Sequence, residues 1–171
     1  SIPSDSVSAT TSYEERFSVY NPKSHQLSED GMTITCIGNN AVCYGEIQIP
    51  SASSGIHAWT FKIKHKSSGR ANAIGIEETL YHGKDGGDIF EYIKPGSVKG
   101  YYITSTGGKH RWDDTSLAID FSLRYEKNDV VEMILDMKRK ELSLAINDKH
   151  CTKVFDAVTF NESVIYCMAV Y

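Results

Sequence analysis

The stretch V-E-M-I-L-D-M-K-R-K-E-L-S-L-A-I, residues 131–146, decides the fold class. In each half of it every second residue is apolar: Val131, Met133 and Leu135, then Leu142, Leu144 and Ile146. Side chains point alternately to the two faces of an extended strand, so this spacing puts the apolar groups on one face of each half. Residues 137–140, M-K-R-K, are predicted to form the turn between the halves. The stretch is therefore predicted to be a β-hairpin of two half-buried strands.

The same period of two recurs along the chain. In W-T-F-K-I-K, residues 59–64, the apolar side chains fall on one face, and residues 32–36 and 46–49 alternate likewise. The last strand, Val164–Tyr171, is apolar on both faces, which predicts a central or covered position. The best helical candidate, Asp114–Phe121, is short. Roughly eleven to thirteen short strands separated by turns indicate an all-β protein, a sandwich or a barrel, with short helices only.

Length and charge narrow the class further. The chain has 171 residues, which suits a single domain. Residues 1–12 are rich in Ser and Thr and are expected to be a flexible lead-in, with the domain itself over residues 13–171. The net charge of -4 disfavours general nucleic-acid binding, which needs a basic surface. No apolar run approaches the roughly 20 residues that cross a bilayer, so no membrane insertion is expected.

The four cysteines contain no C-x-x-C pair and lie in apolar, strand-like contexts. A free thiol in such a context behaves as a small hydrophobe. We therefore expect reduced cysteines that are buried or half-buried. Because residues 1–12 also lack the apolar stretch of a secretion signal, a cytoplasmic protein is expected.

Residues suited to catalysis do not converge in the sequence. Glu132 and Asp136 share a strand face, but surface solvation explains this pair better than glycosidase chemistry. None of the six histidines shows the H-x-x-x-H spacing of a helical zinc site, and His57, on the same strand face as Trp59, is predicted to be a packed or half-exposed aromatic. The run at residues 107–109, Gly-Gly-Lys, lacks the spacing of a phosphate-binding loop. The sequence thus predicts neither an enzyme nor a metal or cofactor site.

The order of several motifs resembles that of SPRY domains. The matching stretches are Ser28–Ile34, Gly55–Ile63, Ala73–Ile76, Gly100–Ile103 with Gly107 and Gly108, Asn128–Val131, Leu135–Asn147, and Val154–Phe155 with the closing strand. No single motif is specific, whereas seven in the right order make a strong signal. Asn128 and Lys140 stand where the family more often has glycine. An upstream PRY extension is not evident in residues 13–26.

The resemblance implies a fold and a function. The fold would be a two-layer antiparallel β-sandwich of the concanavalin A-like jelly-roll type, with two curved sheets face to face. Members of the family are non-catalytic recognition modules, often in adaptor, ubiquitin-ligase or signalling proteins, and they bind through loops at one rim of the sandwich. The resemblance therefore implies that this chain binds a protein or a short peptide, with the isolated domain expected to be a monomer.

Three loop groups supply the candidate contact residues. These are His65, Lys66 and Arg70; Tyr81 and Tyr92; and Lys109, His110, Arg111, Trp112 and Asp113. Tyrosine offers a large contact area at low entropic cost, and Trp and Arg are enriched among residues that anchor interfaces. Two interpretations of Trp112 stay open, because its indole could be exposed to a partner or could fold inward and cap the sandwich.

Two alternatives to protein binding also stay open. A lectin on a related sandwich would use aromatic platforms and often a calcium cluster, for which Asp85 and Asp88 are the only hint. A small phosphorylated ligand could be bound by Lys109, His110 and Arg111. In a strand, however, the side chains of three successive residues diverge, which weakens this second alternative.

Overall fold

The computed structural model describes residues 10–18, 25–36, 42–64, 72–78, 100–160 and 164–170. The strands in these ranges are β1 (Thr10–Tyr13), β2 (Phe17–Ser18), β3 (His25–Leu27), β4 (Ile34–Cys36), β5 (Val42–Pro50), β6 (Ile56–Lys62), β7 (Ala73–Glu78), β8 (Gly100–Thr104), β9 (Gly108–Arg111), β10 (Asp114–Ile119), β11 (Val130–Asp136), β12 (Glu141–Ile146), β13 (Thr152–Phe155) and β14 (Val164–Val170). A 3₁₀ turn, Phe121–Leu123, is the one helical element of the described ranges.

The strands form two main sheets around one core. One sheet has five strands in the order β1-β6-β11-β12-β13, the other has seven in the order β10-β9-β8-β7-β14-β5-β2, and β3 pairs with β4 separately. Trp59 and Met133 of the first sheet and Ile76, Tyr101 and Ile165 of the second belong to one buried cluster. The predicted all-β sandwich is confirmed, because alternate residues of both sheets meet in this cluster.

The hairpin over residues 131–146 is confirmed. Strand β11 pairs with β12 in an unbroken antiparallel register from Val131–Ile146 to Asp136–Glu141. The burial of β11 alternates along the strand, as the period of two requires. Strand β6 pairs with the other side of β11, which makes the hairpin the centre of the five-stranded sheet.

The closing strand also lies where its composition predicts. Strand β14 pairs with β5 on one side and with β7 on the other, so it is interior in the seven-stranded sheet. The best helical candidate, Asp114–Phe121, is not a helix, because Asp114–Ile119 form strand β10 against β9. A bulge between Asp114 and Ala118 interrupts their regular pairing, and a single 3₁₀ turn follows. The partner strand is what selects the extended conformation here, and it is not visible in a local pattern.

The N-terminal strand joins the five-stranded sheet. Thr10–Ser12, which the sequence pattern assigns to a flexible lead-in, pair in parallel with Ile56–Ala58 of β6. Tyr13 then stacks on Trp59 with the ring centroids 5.4 Å apart. The buried carboxylate of Glu15 accepts a hydrogen bond from the Trp59 indole at 3.3 Å. These contacts place residues 10–15 inside the folded unit.

Two of the cysteines can be compared with their prediction. Cys43 is buried and Cys151 is exposed, and neither of the two forms a disulfide. The prediction of a buried or half-buried thiol is therefore right for Cys43 and wrong for Cys151, which follows the 147–150 turn at the edge of the sheet. The side chains of Cys36 and Cys167 lie outside the described residues.

The loops gather at two opposite rims of the sandwich. We define the first rim as residues 51–55, 112–113, 137–140 and 156–160, and the second rim as residues 63–64, 105–107, 126–129 and 147–151. Backbone hydrogen bonds join the loops of each rim, such as Val158 N to Lys140 O (2.9 Å) at the first and Asn128 N to Ile63 O (2.7 Å) at the second. Among the described residues, no helix is long and apolar enough to span a membrane.

Candidate functional site

Tyr101 on β8 holds the first rim together from beneath. Its ring is fully buried and makes edge contacts with Phe155 and Phe160 at centroid distances of 5.5 and 5.8 Å. Its hydroxyl oxygen accepts hydrogen bonds from the backbone N–H of Thr159 at 2.9 Å and from the indole Nε1 of Trp112 at 3.2 Å. One phenol oxygen therefore ties the loop after β9 to the segment after β13.

The guanidinium of Arg111 makes several contacts within the protein. Its guanidinium makes a bidentate pair with Asp113, with Nε–Oδ1 and Nη2–Oδ2 distances of 2.5 and 3.2 Å. The same group lies over the Tyr101 ring, 5.5 Å from its centroid, and donates to the carbonyl of Asp156 at 3.3 Å. The hydrogen bond to Asp113 raises the pKa of Arg111 further above its ordinary value. Arg111 thus fixes the loop geometry, and Asp113 is the more exposed member of the pair.

The two interpretations of Trp112 each describe part of its environment. The indole is half-buried and packs against the hydrophobic core, as expected of a residue that caps the sandwich. The remaining part of its surface is exposed beside Asp113, as expected of an interface residue. Because its N–H is directed at Tyr101, a partner would meet the edge of an indole that is already fixed in place.

Lys109 and His110 do not converge with Arg111. The register of β8 and β9 pairs Lys109 with Ile103, His110 with Tyr102 and Arg111 with Tyr101. Because side chains alternate along a strand, His110 lies on the opposite face from its two neighbours. Burial also lowers the pKa of His110, which favours the neutral imidazole. This divergence gives no support to a phosphate site formed by the three residues together.

Five other predicted contact residues lie outside the described residues: His65, Lys66, Arg70, Tyr81 and Tyr92. The described residues that flank the first three, Lys64 and Asn72, lie at the second rim, away from Trp112. Asp85 and Asp88, on which the lectin alternative depends, are also outside the described ranges. Within those ranges, no group of three or more His, Cys, Asp and Glu side chains could hold a metal ion.

A groove opens at the first rim between the β11–β12 turn and the segment after β13. We call it the rim groove; its volume is about 250 Å³. Its apolar walls are Leu135, Met137, Val158 and Phe160, and Lys140 is the charged residue of its lining. Pockets that enclose whole drug-sized ligands span roughly 300–1,000 Å³, so this groove suits one or two side chains of a larger partner. No sequence motif predicted it, because its walls come from separate loops.

Two unusual backbone conformations lie at or next to the rim groove. Lys140 has a φ of 56° and Ala157 a φ of 51°, in the left-handed region that disfavours side chains other than those of Asn and Asp. The other described non-glycine residues with positive φ are Asn128, Asn147 and Asp148. Of the two that lack an Asn or Asp side chain, Lys140 lines the groove and Ala157 precedes the lining residue Val158. The hydrogen bond from Val158 N to Lys140 O joins their loops.

Three polar side chains are hydrogen-bonded in a row between the 51–55 loop and strand β1. His57 is buried, as predicted for a packed aromatic, and its Nδ1 lies 2.7 Å from Tyr13 Oη and its Nε2 2.9 Å from Ser53 Oγ. A serine hydroxyl bonded to an imidazole is the pairing that activates a nucleophile. Here the same three groups connect strand β1, the loop and strand β6, and burial lowers the pKa of His57. The chain of bonds is explained by attachment of the N-terminal strand.

A buried carboxyl lies on the outer face of the seven-stranded sheet. Glu77 on β7 is 3% exposed, and it accepts a hydrogen bond from Tyr102 Oη at 2.8 Å. A further hydrogen bond links it to Tyr44. Removal from water raises the pKa of Glu77 to about 7, and neighbouring Glu78 raises it too. This carboxyl was not predicted, because nothing in A-I-G-I-E-E distinguishes it from an ordinary surface glutamate.

Comparison with known proteins gives matches at the level of structure. No family model matches the sequence, and no curated protein matches it. The SPRY domain of human HERC1 superposes with a TM-score of 0.64 at 17% identity, covering 88% of each chain. The TRIM65 PSpry domain gives 0.63 at 11% identity, covering 92% of this chain and 84% of that one. Stonustoxin gives 0.61 at 13% identity, and the match covers 92% of this chain but 25% of the toxin chain.

These matches define the architecture. The protein is a two-layer antiparallel β-sandwich, and its topology is that of SPRY domains over about nine tenths of its length. The predicted resemblance to the SPRY family is thereby confirmed for the fold. At identities of 11–17% the likeness concerns the fold alone, and it carries no ligand from one protein to another.

Proposed function

We propose that this protein is a non-catalytic recognition module that binds a short peptide or a folded protein through its first rim. Proteins with the SPRY fold typically act as protein-interaction modules, which supports the general class. The contact residues would include Trp112 and Asp113, together with the rim groove. A place within a larger adaptor, ubiquitin-ligase or signalling protein, a cytoplasmic location and a monomeric isolated domain belong to the same proposal.

The observation that carries the proposal is the fixed geometry of the first rim. The Tyr101 hydroxyl holds Trp112 and Thr159, and Arg111 is locked to Asp113 and to the Asp156 carbonyl. A preformed surface loses little conformational entropy on binding, which favours recognition by rigid docking. Such a surface combines an indole edge, a carboxylate and an apolar groove. These are elements that anchor and orient a partner.

The predicted residues outside the described ranges extend this proposal. Tyr81 and Tyr92 are proposed to add contacts to the partner bound at the first rim. His65, Lys66 and Arg70 lie in the sequence between Lys64 and Asn72 of the second rim and are proposed as a separate contact group. Lys109 and His110 are half-buried in β9 and are proposed to contribute only through their exposed atoms. The charged residues would set specificity, because wrong partners would leave them unmatched.

The test compares the two rims in one binding experiment. The tagged protein is used to capture partners, each captured protein is purified, and its affinity is measured by calorimetry. The first-rim variant carries Trp112→Ala with Asp113→Lys. The matched second-rim variant carries Lys127→Glu in that rim and Phe121→Ala in the 3₁₀ turn next to it, both at exposed positions. We expect the first-rim variant to weaken binding by at least tenfold, or about 1.4 kcal/mol, with the second-rim variant unchanged.

Circular dichroism and thermal unfolding of both variants must first show an intact sandwich. If the second-rim variant alone loses the purified partner, the proposed surface is wrong. If no captured protein binds directly after purification, the recognition function itself is contradicted.

A further inference from the structure

We infer that the rim groove takes a bulky apolar side chain from an acidic segment of a protein partner, with Lys140 binding the carboxylate beside that side chain. This inference rests on the proposed function and specifies the chemistry of the ligand. It commits to one occupant: a stretch of chain in which Asp or Glu neighbours Leu, Phe or Trp.

The apolar half of the inference follows from the groove lining. Leu135 and Val158 of the lining are almost fully buried, and Met137 and Phe160 are half-buried, so the last two supply its apolar contact surface. Ser51, Thr159 and Lys140 supply polar surface in the same space of about 250 Å³. Contact with Met137 and Phe160 favours transfer of an apolar side chain out of water. The volume suits an anchoring side chain rather than a complete small molecule.

The acidic half follows from the charges of the β11–β12 turn. The turn carries Lys138, Arg139 and Lys140 in succession. The two acids that flank the turn are both engaged: Asp136 lies 3.9 Å from Arg139, and Glu141 lies 3.4 Å from Lys153. In the part of the chain that the structure describes, no carboxylate lies within ion-pair range of Lys140 or Lys138.

Lys140 differs from Lys138 in lining the groove. An incoming segment whose apolar side chain enters the groove would therefore bring its neighbouring residues close to Lys140. A carboxylate is the group that complements an unpaired ammonium, so charge complementarity selects an acidic segment.

The backbone supports a functional reason for this lysine. Position 140 has a φ of 56°, which glycine adopts at little cost, yet the chain carries lysine there. Ala157, which precedes the lining residue Val158, is in the same left-handed region. Unfavourable backbone conformations that persist in a folded protein concentrate at binding sites, where the surrounding structure maintains them.

A peptide selection with matched variants tests the inference. The intact 171-residue protein is used to select from a phage library of random 12-residue peptides. The most enriched peptide is then synthesised with a fluorescein label, and its affinity is measured by fluorescence anisotropy. A second peptide has each Asp and Glu changed to Asn and Gln.

Three protein variants complete the design. Lys140→Gly removes the groove charge and suits the left-handed backbone, so the protein should remain folded. Lys138→Gly removes an equal charge from the same turn but not from the groove. Thr159→Trp places a large ring at the exposed groove margin and should block entry.

We expect the enriched peptides to pair an acid with a bulky apolar residue. Lys140→Gly should weaken the acidic peptide by about 2- to 5-fold, as loss of an exposed ion pair does, and Lys138→Gly by less than 2-fold. The amide peptide should bind the wild type and Lys140→Gly equally, which identifies Lys140 as the partner of the carboxylate. Thr159→Trp should abolish binding of both peptides.

Two other results would contradict the inference in different ways. If the affinity of the enriched peptides is unchanged by both Lys140→Gly and Thr159→Trp, the peptides bind at another surface. That result overturns the inference and leaves the proposed function standing. A selection in which no peptide is enriched over the unselected library would remove peptide recognition and the inference together.

Discussion

The indole Nε1 of Trp112 donates a hydrogen bond to the hydroxyl of Tyr101 at 3.2 Å, and that hydroxyl also accepts the backbone N–H of Thr159. The phenol oxygen comes from a fully buried residue in the middle of the sandwich, whereas both donors belong to the first rim. The position of the candidate contact surface therefore depends on one oxygen atom of the core. This relationship can be broken without removing any apolar contact.

Tyr101→Phe should loosen the first rim and keep the fold. Two donors lose their acceptor, so the free energy of unfolding should fall by about 1–3 kcal/mol. Trp59 is fully buried, so any gain in acrylamide quenching of tryptophan fluorescence would report greater exposure of Trp112. We expect quenching to rise in the variant, and urea denaturation to give the loss of stability.

Tyr125→Phe is the matched control for this change. The hydroxyl of Tyr125 is also buried and donates to the carbonyls of Asn72 and Ile103 at 3.1 and 3.0 Å, at the second rim. Its removal should cost a similar amount of stability and leave the quenching of Trp112 unchanged. Equal quenching in both variants would show that the Tyr101 hydroxyl does not fix the indole.

Glu77→Gln should make the protein more stable at high pH than the wild type. Burial raises the pKa of Glu77 to about 7 in the folded state, above its ordinary value of 4.5. Between these two values the folded chain retains a proton that the unfolded chain releases, so the stability of the wild type falls as pH rises through this window. Below 4.5 both states are protonated, and above about 7 both are ionised.

The full penalty is present above pH 7 and amounts to about 3 kcal/mol. Glutamine removes the charge and keeps an acceptor for Tyr102 Oη. Denaturation at pH 5 and pH 8 should therefore give a stability gain for Glu77→Gln that is larger by about 2–3 kcal/mol at pH 8. Glu126→Gln, at an exposed position, should change little at either pH. An equal gain at the two pH values would show that Glu77 ionises normally.

Gly75→Ala should disrupt the seven-stranded sheet. A methyl group at Gly75 would fall inside contact distance of the Tyr101 carbonyl oxygen and against the Tyr102 ring. The carbonyl is backbone and cannot turn aside, so overpacking should cost about 1–3 kcal/mol or more. At Gly55 the nearest atom would be 3.7 Å away, an ordinary contact, so Gly55→Ala should be tolerated. Thermal unfolding of both variants measures the difference, and equal melting temperatures would refute the argument.

The sequence predicted best those elements whose pattern is complete within a few residues. The 131–146 hairpin follows from local alternation, and the interior position of β14 follows from its two apolar faces. Asn128 and Lys140 stand where the SPRY pattern has glycine, and both adopt positive φ, of 74° and 56°. The positive φ at both positions explains why glycine suits them, although the two substitutions were noted in the sequence only as departures from the family pattern.

What the sequence could not predict depends on distant partners. Asp114–Ile119 look helical alone and become a strand because β9 pairs with them. The rim groove combines loops that are far apart in the chain, so no single motif marks it. Arg111 and Trp112 were singled out by residue type, but their attachment to Tyr101 could be seen only in the fold. The burial of Glu15 and Glu77 likewise arises only when separate strands meet.

The Ser53–His57 pair is expected to be structural, and its reactivity can be measured. The two side chains are 2.9 Å apart, and the far side of the imidazole contacts Tyr13 on β1. If these bonds only attach the N-terminal strand, a fluorophosphonate probe should not label the folded protein. Tyr13→Phe should then accelerate hydrogen exchange in residues 10–13. Labelling of the wild type that disappears in Ser53→Ala would contradict the non-catalytic assignment.

Lys140→Gly and Lys138→Gly should change stability in opposite directions. At position 140 the φ of 56° penalises a side chain by about 1–2 kcal/mol, part of which is offset because glycine makes the unfolded chain more flexible. We expect a net gain of about 0.5–1 kcal/mol for Lys140→Gly. Position 138 has no positive φ, so glycine there should cost about 0.5–1 kcal/mol through backbone entropy alone. Urea denaturation at high salt, which screens the charges, separates this backbone effect from electrostatics. If Lys140→Gly raises the free energy of unfolding and Lys138→Gly lowers it, the chain keeps a lysine beside the rim groove at the expense of stability. If both variants lower it, the backbone argument for a binding role of Lys140 is removed.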